Sequence, residues 1–265
     1  MIIVGELINS TRKSIKEAVK NNDSDYIKKI AKEESEAGAN YIDVNAGIFV
    51  GKEIDYLKWL VQTVQEEVDT PCCIDSPDPK AIEAALALHK GKTPMINSIS
   101  LEKERYDAVL PIIEGTDLKI VALCMSSRGM PQTSDDRIKI ADKLINGLVQ
   151  HHVKLDNIYV DPLVQPIGTN DNFGVQFLDS VEAILKEFKG VHMMCGLSNI
   201  SFGLPNRKFI NRIFAVMAVS RGLDGLIINP LDKEMMGSLI TAETLAGKDE
   251  FCMNYLQAYR NKLFE

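Results

Sequence analysis

The chain lacks any hydrophobic run long enough to cross a bilayer, any linker rich in proline, glycine or serine, and any low-complexity tract. No membrane span is expected, since one needs about 20 consecutive apolar residues, nor a string of domains on flexible spacers. Positive charge is also short. Thirty Lys plus Arg against 37 Asp plus Glu leave a net charge of -7, a balance that repels a phosphate backbone, so nucleic acid is not an expected partner. The first residues, MIIVGELINS, carry no basic stretch, and Glu6 breaks the apolar run short of the ~7 residues a secretory signal core needs. A cytoplasmic location is expected.

Metal and nucleophile signatures are missing too. The five cysteines, Cys72, Cys73, Cys124, Cys195 and Cys252, have no zinc-ligand spacing, and the adjacent pair Cys72 and Cys73 faces opposite sides of a strand. In a reducing compartment they read as buried thiols. His151 and His152 are neighbours and cannot converge on one ion from a helix. There is no GxGxxG after the first apolar run, no Walker A segment, no His-x-x-x-His pair and no Gly-x-Ser-x-Gly. A site without metal or nucleophile works by holding its substrates and stabilising developing charge.

What the chain does have is alternation. Short apolar runs at Ile2 to Val4, Tyr41 to Val44, Cys72 to Ile74, Pro94 to Asn97, Ile120 to Met125, Ile158 to Val160, His192 to Cys195 and Gly225 to Ile228 read as eight strands. Between and after them lie amphipathic stretches of helix length: about Asp25 to Ala37, Ile54 to Val68, Pro79 to His89, Leu101 to Ile113, Asp135 to His151, Val175 to Phe188, Arg207 to Arg221 and Lys233 to Ala246, with a short extra helix over Arg12 to Val19. Eight such units filling residues 1–265 predict one closed (β/α)8 TIM barrel; a doubly wound open sheet is the alternative.

In that barrel the C-terminal strand ends converge on one mouth, which is where chemistry resides. The strand ends carry Glu6 and Asn9, Asp43 and Asn45, Asp75 and Ser76, Asn97 and Ser98, Met125 and Ser126, Asp161, Ser198 and Asn199, and Asn229. Each one alone could be a turn or helix-cap residue, and for Ser76, Asn45 and Asn229 that is the better reading. Asp75, Asn97, Asp161 and Asn199 are better read as functional, because each lies where a side chain can reach inward. Carboxylates and carboxamides without Lys or Arg among them suit a neutral ligand rich in N–H donors and carbonyls, such as a pterin, rather than a phosphate.

The segments VGELIN, IDVNAG at Asp43, CCIDSPDPKAIEAAL around Asp75, PMINSIS around Asn97, YVDPLVQP around Asp161 and GLSNISFGLPNR from Gly196 to Arg207 resemble, in this order, the pterin-binding methyltransferase family. Within it the likeness is to the methyltetrahydrofolate:corrinoid protein methyltransferases, with the folate domain of cobalamin-dependent methionine synthase and dihydropteroate synthase as more distant relatives. The resemblance implies a barrel that binds tetrahydrofolate or methyltetrahydrofolate as substrate. Asp75, Asp161 and Asn97 would hold the pterin ring, with Gly196, Ser198 and Arg207 among the binding residues. Asn199 would act catalytically at N5, the atom that carries the methyl group, with Glu6, Asp43 and Asn45 in support.

The synthases differ by a Gly-rich loop after the DP dipeptide and a late Ser-x-Lys-type motif; this chain has LVQP after Asp161-Pro162 and, late on, Arg207 in another setting. A pterin-condensing synthase is thus the runner-up, and a non-catalytic folate-binding protein the third reading. No histidine sits in the Asp-x-His-x-x-Gly motif of corrinoid domains, so the cobalamin would be carried by a separate corrinoid protein docking over the mouth. A homodimer is expected from the resemblance and from Phe209, Ile213 and Met217, which could supply an interface or, equally, pack on the barrel.

Overall fold

Eight short strands pair in chain order, all parallel, and the last closes on the first: β1 (Ile2–Gly5), β2 (Tyr41–Asn45), β3 (Cys72–Asp75), β4 (Met95–Leu101), β5 (Lys119–Ser126), β6 (Ile158–Asp161), β7 (His192–Gly196) and β8 (Gly225–Ile228). The computed structural model describes residues 1–265 throughout. Closure is seen in the β1–β8 register, where Ile2 to Gly5 pair one for one with Gly225 to Ile228. The helices are α1 (Lys13–Asn21), α2 (Ser24–Glu36), α3 (Glu53–Gln65), α4 (Pro79–Leu86), α5 (Lys103–Ile113), α6 (Ser134–Gln150), α7 (Phe173–Glu187), α8 (Arg207–Ser220), α9 (Lys233–Leu245) and α10 (Met253–Arg260). The expected TIM barrel is therefore the fold.

Side-chain alternation along the strands makes two cores. One residue of each pair faces out, joining a cluster of 55 buried residues between the sheet and the helices. The other faces in, where Val4, Tyr41, Cys73, Met95, Val121, Tyr159 and Met194 fill the barrel and form a floor under its mouth. Cys72 lies in the outer cluster and Cys73 in the inner one, as the strand period requires. Both thiols are buried and free.

Helix starts follow local capping chemistry. Asp23 accepts the Tyr26 N–H at 3.1 Å and Asp232 the Met235 N–H at 3.1 Å. Thr133 and Asp136 form a reciprocal capping box at α6. Gly38, just past α2, has φ +97, the left-handed conformation that ends a helix at low cost only for glycine.

Three local expectations fail for identifiable reasons. Leu101 ends β4 rather than starting a helix, because β4 runs on past Asn97 through two register shifts against β5. The helix expected to reach His89 stops at Leu86, since the His89 ring turns back and its Nε2 accepts the Cys72 N–H at 3.2 Å. Finally, α10 forms beyond the last expected helix, packed on α9.

Candidate functional site

Asn45, Asp75 and Asn97 fall in one register row across β2, β3 and β4, and parity with the inward Cys73 and Met95 turns them into the barrel. They stand above the apolar floor. The Asn45 Nδ2 donates to Asp75 Oδ2 at 2.8 Å, while its Oδ1 accepts from Ser10 Oγ at 3.1 Å and from the Gly47 N–H at 3.0 Å. Asn45 is thus a structural brace for Asp75. Asp75 and Asn97 line a cleft of about 800 Å³ whose wall includes Ser98, Leu123, Met125 and Ser127. Asp161 ends β6, where its Oδ1 accepts the Leu163 N–H at 2.8 Å, and β6 carries it inward from the parity of Tyr159.

Burial sets the charges. It pushes the Asp75 carboxyl up to about 6, against the hydrogen bond from Asn45 and the Arg105 charge. It pushes Asp161 likewise up to about 6, against the Leu163 and Gly196 N–H groups and Arg137. Asp43 is deeper, wholly enclosed beside Cys73 and Asn97, and is driven well above the carboxylate range by burial first and the Asp75 charge second. At neutral pH Asp75 and Asp161 are mainly ionised. Two carboxylates in a nearly dry mouth accept N–H groups strongly.

Cations stand around the mouth on helices: Arg207, expected from the resemblance, and Arg105 and Arg137, which sequence reasoning missed. Arg105 of α5 donates through Nε and both terminal nitrogens to the carbonyls of Ser98, Pro77 and Ser76 at 2.6–2.8 Å. Arg137 of α6, fully buried, donates to the carbonyls of Pro162 at 2.8 Å, Thr133 at 3.0 Å and Leu163 at 3.3 Å. Arg207 opens α8 and donates Nη2 to the Ser198 carbonyl at 2.6 Å and Nε to Ser201 Oγ at 3.0 Å. Arg105 and Arg137 grip backbone that follows Asp75 and Asn97, and Asp161, respectively, while Arg207 spans Asn199, holding the Ser198 carbonyl before it and the Ser201 hydroxyl after it.

Asn199 sits inside a one-turn 3-10 helix, Leu197–Ser201, immediately after β7. Its side chain is exposed and makes no hydrogen bond within the protein, so it is not acting as a cap. Gly196, which ends β7, is informative in another way: a Cβ there would meet nothing within 4 Å. No protein atom requires glycine at this position, as expected where a ligand comes close to the backbone. Glu6 stands at the end of β1, gripped by Arg12 at 2.7 Å and within the field of Arg207. Burial raises its carboxyl, and Arg12 opposes the rise. Ser76 and Asn229 serve loop structure, as expected: Ser76 Oγ donates to the Glu53 carboxylate and Asn229 Oδ1 accepts the Leu231 N–H at 2.9 Å.

A family model described as pterin binding enzyme matches residues 5–229, a span that contains every one of these residues. The chain belongs to the pterin-binding enzyme family. A methylcorrinoid:tetrahydrofolate methyltransferase of Eubacterium limosum is 35% identical over 98% of this chain and 96% of its own length. The methionine synthase of Mycobacterium tuberculosis is 26% identical over 86% of this chain, which corresponds to 20% of that much longer protein. Pterin-binding enzymes of known structure share the barrel: the dihydropteroate synthase of Yersinia pestis superposes with a TM-score of 0.71 over 93% of this chain and 94% of its own, at 14% identity. The Xanthomonas albilineans synthase gives 0.70 over 92% of this chain and 93% of its own, at 15% identity. At those identities the likeness shows the fold alone. No group of three or more His, Cys, Asp or Glu side chains is arranged to hold a metal ion.

Proposed function

We propose that this chain is a methyltransferase that moves a methyl group between N5 of tetrahydrofolate and the corrinoid of a separate, docked protein. The carrying observation is the mouth itself: two ionised carboxylates and a carboxamide reach inward on adjacent and facing strands, and an exposed, unpartnered carboxamide, Asn199, follows the bare backbone of Gly196 by three residues. Asp75, Asn97 and Asp161 would accept and donate along the amino-pyrimidinone edge. Gly196 and Ser198 would form the wall next to N5, with Arg207 behind them holding the Ser198 carbonyl. The relative from Eubacterium limosum, similar over nearly its whole length, is named for transfer between methylcorrinoid and tetrahydrofolate; these contacts serve either direction, because a catalyst for one is a catalyst for the reverse.

The chain's residues supply three things. Asp75 and Asp161 orient the ring, which places N5 against Asn199. A tertiary amine is a poor leaving group, so N5 must gain a proton or a strong hydrogen bond as its methyl bond breaks. Asn199 provides that bond, since a carboxamide can donate through Nδ2 or accept through Oδ1 as N5 changes state. The corrinoid, carried by the partner, supplies the cobalt centre that gives or takes the methyl group.

The partner's landing ground is the rim. Val50, Met130, Phe202 and Leu231 are large apolar side chains left exposed, Val50 at 93% and Phe202 at 65%. They lie on the loops after β2, β5, β7 and β8, all on the face that carries the mouth. Exposed apolar residues ringing a site suit a transient protein contact. On the flank, Phe209, Ile213 and Met217 are 60%, 50% and 46% exposed, so they do not pack on the barrel, and a homodimer through α8 is our reading of that stripe. Four buried free thiols suit a cytoplasmic location.

Mixing the protein with methyltetrahydrofolate and free cob(I)alamin tests the function without the unknown partner. Loss of the cob(I)alamin spectrum that depends on both protein and folate is expected. No transfer at enzyme concentrations comparable to substrate would overturn the proposal.

A further inference from the structure

Three arginines from the helix layer hold three mouth loops by their carbonyls, and on one of those loops the exposed carboxamide of Asn199 has no partner within the protein. We infer that Arg207 is a positioning residue for Asn199: its guanidinium clamps the single turn that aims the carboxamide into the mouth. This rests on the methyl-transfer reading of the site.

The geometry is specific. The turn Leu197–Ser201 is five residues long, too short to be stable alone, because a first helical turn fixes several dihedrals for one hydrogen bond. Arg207 spans it, taking the Ser198 carbonyl with Nη2 at 2.6 Å and the Ser201 hydroxyl with Nε at 3.0 Å. Asn199 lies between the two anchors. Further ties come from the turn's own carbonyls, with Asn199 O accepting the Phe202 N–H at 3.1 Å and Ile200 O the Ile167 N–H at 3.1 Å. Below the turn, Leu197, Ile200 and Ser201 are buried and hold it to the barrel, whereas Asn199 is exposed. Glu6, itself held by Arg12, lies within the field of the Arg207 guanidinium. Arg207 therefore acts on the reaction through the turn, with Nη1 as its one nitrogen that no protein group engages.

Lysine is a useful probe because it keeps the charge and loses the fork. In Arg207→Lys the single-turnover rate of methyl transfer from methyltetrahydrofolate to cob(I)alamin should fall roughly 10- to 100-fold, the scale of a small misplacement of a catalytic group. On an Asn199→Ala background the same substitution should cost less than about 3-fold, since the group being aimed is gone. Ser201→Ala, which removes one anchor and keeps Arg207, should slow the reaction in the same direction by a smaller factor with the same dependence on Asn199. Amide hydrogen exchange gives a readout independent of activity: protection at Phe202 should drop in Arg207→Lys while the strands stay protected. An equal rate loss with and without Asn199 would mean that Arg207 touches substrate directly and would overturn the inference, as would unchanged exchange at Phe202. If the unaltered protein transfers no methyl group, the proposed function fails, and the exchange result alone still decides whether the clamp exists.

Discussion

Glu34 offers the sharpest test of the electrostatics around the mouth. It lies on α2 with no exposed surface, its Oε1 accepting the Leu7 N–H at 2.9 Å and its Oε2 buried without a partner. The carboxyl reaches that amide only because residue 5 is glycine: a Cβ on Gly5 would overlap Oε1. Burial pushes Glu34 from 4.5 up to about 8, with Glu6 adding to the rise while the Leu7 N–H and Arg12 oppose it. A carboxyl raised in the folded state favours folding while protonated, so its contribution is complete below pH 4.5 and is lost as pH climbs through 8. The unfolded chain ionises first, and folding must then keep a proton that water would take.

At pH 7 the displacement is about 2.5 units, which at ~1.4 kcal/mol per unit costs the native protein about 3 kcal/mol, rising toward about 5 above pH 8. Glu34→Gln keeps the acceptor for Leu7 and cannot ionise. It should match the parent at pH 4.5 and exceed it by roughly 3 kcal/mol at pH 7, a rise of several degrees in melting temperature. Urea unfolding of both proteins at half-unit steps from pH 4.5 to 8.5 measures the difference directly. A gap that does not change with pH would refute the buried, protonated carboxyl.

Other expectations are simpler. Asp75→Ala and Asp161→Ala should each weaken folate binding by about 1.5–3 kcal/mol, the scale of a hydrogen bond to a charged group; normal calorimetric titrations for both would remove these acids from the ligand. Asn199→Ala should lower the single-turnover rate on the order of 10²-fold with most folate affinity kept, because the ring edge remains held elsewhere. A stable variant with unchanged transfer would take Asn199 out of the mechanism. Gly196→Ala should fold with little change in melting temperature, since a Cβ there meets no protein atom, and should weaken folate binding at least 10-fold; undiminished binding would show that no ligand approaches β7. Light scattering at micromolar concentration should find a dimer that Ile213→Glu converts to monomer, and a monomeric parent protein would end the reading of the α8 stripe.

The barrel was legible in the chain because its signals are local. Strand and helix periods, Gly38 after α2, and Asp or Thr before α2, α4, α6 and α9 act within a few residues, and eight repeats of one supersecondary unit leave few ways to close. Strand parity likewise placed Asp75, Asn97 and Asp161 at the mouth, since each follows an apolar run by a fixed step. What depends on distance in space was not legible. Arg105 and Arg137 sit near the starts of amphipathic helices, where arginine is ordinary, and although the resemblance pointed to Arg207, the backbone carbonyls that all three hold carry no sequence identity. Glu34 reads as a surface residue of a charged helix until α2 folds against β1 and Gly5 gives it room. The same residue types are solvated or desolvated according to packing alone, so charge state, clamp and brace belong to the tertiary structure, while the strand and helix order belongs to the sequence.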